Sequence, residues 1–132
     1  MLHLNKGFLQ DVHDQIEAGR DRELLAKLED LHAADIAEVL DNLKVENASY
    51  LYRLLKNDVK ADVLIDLNEE MRADLMSGMT AGEIAEEVLE NLDSDDAADV
   101  MSELSESKAE EVIRLLNDDE QASDIRDLLN YE

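Results

Sequence analysis

A chain of 132 residues with 35 acidic and 12 basic side chains carries a formal charge of -23 at pH 7. Acids spread along the whole length repel phosphate backbones and anionic lipid headgroups, which argues against nucleic acid and direct membrane contact and favours cations and basic partners. Cysteine is absent, so there is no disulfide framework or thiolate metal site, and no apolar run reaches the length of a membrane span. So much charge can also signal disorder, but 45% of the residues are hydrophobic and they fall in strict phase, the mark of a folded core.

The first predicted element rests on Phe8, Val12 and Ile16, four apart, with Leu9 beside them. That spacing predicts a longer amphipathic helix, stopped at Gly19 and followed by a second helix from near Asp21. From Leu31 onward a repeat takes over. Leucine or methionine recurs at Leu31, Leu43, Leu55, Leu67, Met79, Leu92, Leu104, Leu116 and Leu128, at intervals of twelve residues except for thirteen between Met79 and Leu92. Composition alone scatters leucines rather than phasing them, so this is a repeat protein.

Each unit reads as one short helix. Four residues before the anchors stand Val39, Leu51, Val63, Leu75, Val88, Val100 and Val112. Three before stand Leu40, Tyr52, Leu64, Met76, Leu89, Met101, Ile113 and Ile125. Apolar residues at steps of three and four mark one helical face. Ala37, Ala61, Ala73, Ala85, Ala97, Ala98 and Ala109 supply small residues one turn earlier, where neighbouring helices can approach closely. Asn68, Thr80, Asp93, Ser105 and Asn117 follow the anchors as N-caps, and Thr80 with Glu83 and Asn117 with Glu120 have capping-box spacing. A turn plus a helix of about eight residues is too short to stand alone, so the units hold by stacking. Without a linker or composition shift, residues 1–132 read as one all-α domain.

Catalytic signals are nearly absent. His3, His13 and His32 share no metal-ligand spacing, and Gly7, Gly19, Gly78 and Gly82 read as turn residues rather than a phosphate loop. Asp93-Ser94-Asp95-Asp96-Ala97-Ala98-Asp99 places Asp95 and Asp99 four apart on one helical face, where like charges cost roughly 0.2–0.5 kcal/mol. A hard divalent cation relieves that repulsion, and Mg2+, which keeps most of its water, suits one or two carboxylates. From these residues alone, a solvated acidic face is the leading reading.

Leu31-His32-Ala33-Ala34-Asp35-Ile36-Ala37-Glu38-Val39-Leu40, the Leu92 to Met101 segment and the closing Leu128-Leu129-Asn130-Tyr131 resemble, in their order and twelve-residue pulse, the intracellular N-terminal domain of MgtE-type magnesium transporters. The resemblance spans about residues 8 to 131. It implies a right-handed superhelix of short helices behind a longer N-terminal helix, in the cytoplasmic part of a bacterial inner-membrane protein, with paired CBS domains and a magnesium-selective pore to follow. It further implies a homodimer at full length and a regulatory role, in which weakly bound Mg2+ bridges acids of this domain to the CBS domains and favours the closed pore. Carried over by alignment, those acids are Asp62 in Lys60-Ala61-Asp62-Val63, Asp95 and Asp99, and Asp62 and Asp99 both stand five before their anchors. The family's proline after the helix cap is missing, with Ser94 in its place. Two other classes remain: a docking scaffold resembling the helical repeats of the flagellar motor switch protein, with no ion sensed, and a hydrolase using paired acids, which such short helices seldom enclose.

Overall fold

The computed structural model describes residues 6–116 and 119–130. In order the elements are α1 (Lys6–Glu17), α2 (Asp21–Leu28), α3 (Ala33–Asp41), α4 (Val45–Leu54), α5 (Asn57–Asp66), α6 (Glu69–Ser77), α7 (Ala81–Glu83), α8 (Ser94–Met101), α9 (Glu106–Arg114) and α10 (Asp119–Asn130). α7 runs on into a π-helical turn, Ile84–Val88, and a 3-10 turn, Leu89–Asn91. No strand occurs among the described residues.

Alternate helices pack on one another. α3 lies against α5, α5 against the π-turn and α7 against α9; α2 packs on α4, α4 on α6, and α8 on α10. α1 closes the beginning of the array against α2 and α4. The reason is the twelve-residue period. Every apolar residue three and four before an anchor, from Val39 and Leu40 to Val112, Ile113 and Ile125, is buried in one core cluster that continues back to Val12. Full burial of such a side chain contributes about 1.5–3 kcal/mol. The anchors Leu55, Leu67, Met79, Leu92 and Leu116 sit in the links between helices and plug the seams.

Most local signals hold where hydrogen bonds test them. Gly19 ends α1 at φ 69°, a left-handed conformation that glycine adopts without strain. Asn68 and Ser105 accept from the backbone N–H of Met71 and Lys108. Thr80 and Glu83 form a reciprocal capping box, with Oγ1 accepting from the Glu83 N–H at 3.1 Å and the carboxylate from the Thr80 N–H at 3.0 Å. That backbone hydrogen bond from Thr80, the Thr80 hydroxyl and the charges of Arg53 and Lys60 together hold the Glu83 carboxyl below its ordinary 4.5, against the opposing effect of burial. A carboxyl lowered on folding stabilises the fold above its unfolded value and loses that contribution as pH falls through the folded one. Glu83→Ala therefore costs about 0.5–1 kcal/mol at neutral pH. The gap from the parent chain narrows as pH drops below 4.5, measured by urea denaturation of both proteins across pH 3 to 7.

Several expectations are corrected. Gly7 and Gly82 lie inside helices rather than in turns. Ala73 is exposed, because Met71 and Leu75 carry the packing of α6. Asp93 stands at the N-cap of α8 without a side-chain cap bond. Leu128 falls within α10, exposed, because α10 continues past the point where earlier units end. The Asn117–Glu120 box lies outside the described side chains.

The thirteen-residue interval acquires a physical meaning. The one unit with an extra residue is the one whose helix widens into a π-turn before tightening into a 3-10 turn. Widening takes up the insertion while Ile84, Ala85, Val88 and Leu89 all stay buried.

Candidate functional site

α8 positions two of the three acids named by the alignment. It buries Ala97, Ala98, Val100 and Met101, which turns Asp95 and Asp99 outward. Both line a groove of about 240 Å³ with Ala98, Ser102, Leu128 and Leu129, between α8 and α10. Asp62 is exposed on α5, beside the buried Ala61 and Val63. It lines a different groove, with Asp66, Ile65, His32 and Asp96. The structure thus brings Asp95 and Asp99 together and sets Asp62 apart from them.

Asp96, which sequence reasoning left aside, links the two. It lines one groove with Asp62 and another, of about 350 Å³, with Asp99, Glu69, Arg72 and Glu103. Among the described residues, no group of three or more His, Asp or Glu side chains is arranged to hold a metal ion. The donor set is nevertheless hard and anionic: exposed carboxylates with no thiolate near them. It suits a cation that keeps most of its water, with Asp95 and Asp99 as one or two of its ligands, and it does not supply a complete shell.

Cations are few in this chain, and the structure spends several of them inside. At the position seven before the anchor, where other units place Ile36, Ala48, Ala85, Ala97 and Ala109, two central units place Lys60 and Arg72. Lys60 is 5% exposed, and its Nζ donates to Glu87 Oε1 at 2.9 Å while lying 6.0 Å from the Tyr52 ring centroid. The Tyr52 hydroxyl donates to the Lys60 carbonyl at 3.0 Å, and burial, with the Glu87 charge, pushes the phenol well above its ordinary value. Arg72 grips Glu103 with Nε and Nη2, both at 2.7 Å. Its Nη1 donates to the carbonyls of Leu64, Ile65 and Leu67, which closes the C-terminus of α5. The Glu103 hydrogen bonds, with the charges of Glu103, Glu69 and Asp99, raise its pKa further and outweigh burial.

Similar ties recur along the array. Lys108 Nζ donates to the Met79 carbonyl at 2.7 Å, Arg53 to that of Gly78 at 3.2 Å, and Gln121 to those of Leu89 and Leu92. Each meets carbonyls at a helix end or in the link that follows it. His32 stands at the N-cap of α3 without a side-chain cap bond and shares a groove with Asp62 and Asp96 but not with Asp95 or Asp99, while His13 stands between Asp14 and Glu17 on α1.

Comparison with known proteins decides the family. The family model described as the MgtE intracellular N domain matches residues 31–132. The chain belongs to that family. α1 and α2 lie before the matched region, although the sequence resemblance starts near residue 8. A solved structure described as the soluble part of a magnesium transporter superposes with a TM-score of 0.78 at 22% identity, covering 94% of this N domain and 48% of that chain. At that identity the likeness speaks for the all-helical fold. This N domain spans about half the length of that solved chain. No curated protein matches it. No helix among the described residues is long and apolar enough to cross a membrane.

Proposed function

We propose that this N domain is a regulatory part of a magnesium transporter and responds to intracellular Mg2+ through Asp62, Asp95 and Asp99 at a surface shared with CBS domains of the same polypeptide. The observation that carries the reading is the outward pair Asp95 and Asp99 on α8, two carboxylates of one groove without a third to complete a site. Family membership and the fold it shares with the soluble part of a magnesium transporter support the biological setting. Bound there, Mg2+ supplies positive charge that offsets carboxylate repulsion. The acids stay exposed, hydrated and mutually repelling until a second surface provides further ligands. A cation shifts a conformational equilibrium only by binding its two states differently, and half-sites completed by docking give that difference. The role is regulatory rather than catalytic, in a homodimer on the cytoplasmic face of a bacterial inner membrane.

The chain alone is expected to bind Mg2+ weakly, in the millimolar range or above. The test takes the polypeptide extended through the CBS domains that this reading requires. Radius of gyration and protease lifetime are followed from zero to about 20 mM Mg2+, a span set by weak carboxylate sites, with K+ at matched ionic strength as control. Compaction and protection specific to Mg2+, lost in Asp62→Asn/Asp95→Asn/Asp99→Asn, are the expected result. An equal response to K+, an unaltered response in the triple variant, or tight saturable binding by the chain alone would overturn it.

A docking scaffold without ion sensing is the second reading. It draws on an open groove of about 760 Å³ across α2 to α5, floored by Leu25, Leu28, Leu31, Ile36 and Leu55. Partner binding that survives chelation of divalent cations would favour it.

A further inference from the structure

Asp96 and Asp99 share their groove with Glu69, Glu103 and Arg72, four carboxylates against one guanidinium, a net of -3. The guanidinium is fixed. Nη1 is spent on three carbonyls at the end of α5, Nε and Nη2 are spent on Glu103, and the side chain is 15% exposed. Because the three carbonyls hold it whether or not Glu103 is there, this cation cannot swing out of the groove when another arrives. Glu103, 21% exposed, is held with both oxygens on Arg72 and so is withheld from any ion near Asp99.

We infer that Arg72 is a positioning residue that sets the divalent affinity of the α8 acids low, by occupying Glu103 and by keeping a fixed positive charge beside Asp96 and Asp99. The inference rests on the sensing role given to Asp95 and Asp99 above. Its physical content is a sign pattern. Arg72→Gln takes the groove to -4 and frees a fourth carboxylate. Glu103→Gln takes it to -2 and leaves the guanidinium without its counter-charge. The double variant returns to -3. A side chain that mattered only to folding would not reverse the direction of the change between its two partners.

The test is an amide NMR titration of this chain with MgCl2 against KCl at matched ionic strength, with Mn2+ line broadening locating the ion, for the parent, the two single variants, the double variant and Asp95→Asn/Asp99→Asn. One charge at the separations of a small, partly exposed groove changes divalent affinity by roughly threefold to tenfold. Arg72→Gln should tighten binding by that factor, Glu103→Gln should weaken it by a similar one, and the double variant should fall within about twofold of the parent. If Arg72→Gln fails to fold, the direction of Glu103→Gln decides, since that variant keeps the carbonyl bonds of Arg72. Unchanged midpoints, or shifts of the same sign in both single variants, overturn the inference. If Asp95→Asn/Asp99→Asn abolishes binding while the charge variants leave it untouched, only the role of Arg72 falls. If the Asn variant binds as the parent does, the sensing role falls with it; if no protein shows an Mg2+-specific shift at α8, the role of Arg72 falls, and the sensing role is decided by the polypeptide extended through the second surface.

Discussion

Glu87→Gln should destabilise the chain by about 2–4 kcal/mol, a large loss from a single partly exposed side chain. The magnitude follows from its partner. Lys60 is 5% exposed, and its ammonium meets Glu87 at 2.9 Å, lies 6.0 Å from the Tyr52 ring centroid and is close enough to Glu83 for its charge to be felt there. Removing one member of a buried pair leaves the other charge uncompensated, at about 3–5 kcal/mol. The range is reduced here because Glu87 is 27% exposed and solvent reaches that end of the pair. Lys60→Met should cost less, roughly 1 kcal/mol, because it removes the charge that is hard to bury and leaves a carboxylate that water can reach. Urea denaturation of the two variants and their double measures the asymmetry, and equal losses from both single changes would contradict this account. The pair also ties the π-turn to α5, so amides of Ile84–Val88 should lose hydrogen-exchange protection first in Glu87→Gln.

Leu64→Ala should cost about 2–5 kcal/mol, the range for a fully buried leucine whose surroundings collapse only partly. Leu64 is 0% exposed on α5, and α5 packs against α3 on one side and the π-turn on the other. In a stacked array each unit is stable only through its neighbours, so a cavity at the centre weakens two interfaces at once. Ile125, equally buried, lies on the last helix. Ile125→Ala should loosen α10 and its contact with α8, while exchange protection in α3 to α5 stays near that of the parent. Leu64→Ala should instead lower protection along most of the chain. Against a typical domain stability of about 5–15 kcal/mol, the central change alone removes a substantial part.

Much of the fold was legible because the repeat encodes it twice. The residues three and four before each anchor name the buried face, and the cap residues name where each helix begins. Both signals are local, so reading them needs no knowledge of which helix touches which. Errors came where one signal stood without the other. Ala73 has the right spacing, but Met71 and Leu75 fill its face, and Leu128 has the right spacing, but α10 runs through it.

The candidate site was legible only as a set of acids. The spacing of Asp95 and Asp99 placed them on one helical face, and their exposure agrees. That Asp62 shares a groove with Asp96 rather than with either of them depends on how α5 and α8 lie, and neither helix carries that information alone. Lys60 and Arg72 left a faint trace as cations at a position of small apolar residues. Reading it required knowing that Glu87 and Glu103, 27 and 31 residues further on, would be there to meet them.

The sequence by itself determined an all-helical repeat, its period, its buried face, its helix starts and an acidic surface suited to cations. These follow from backbone geometry and the pattern of apolar side chains within one turn or two, which are properties of contiguous residues. Only the tertiary structure decided that the thirteenth residue becomes a π-turn, that the named acids fall into separate grooves, and that Lys60, buried, and Arg72, partly buried, act as clamps between units. These depend on charges and packing across distant residues, where energy is set by separation in space and by exposure to water rather than by separation along the chain.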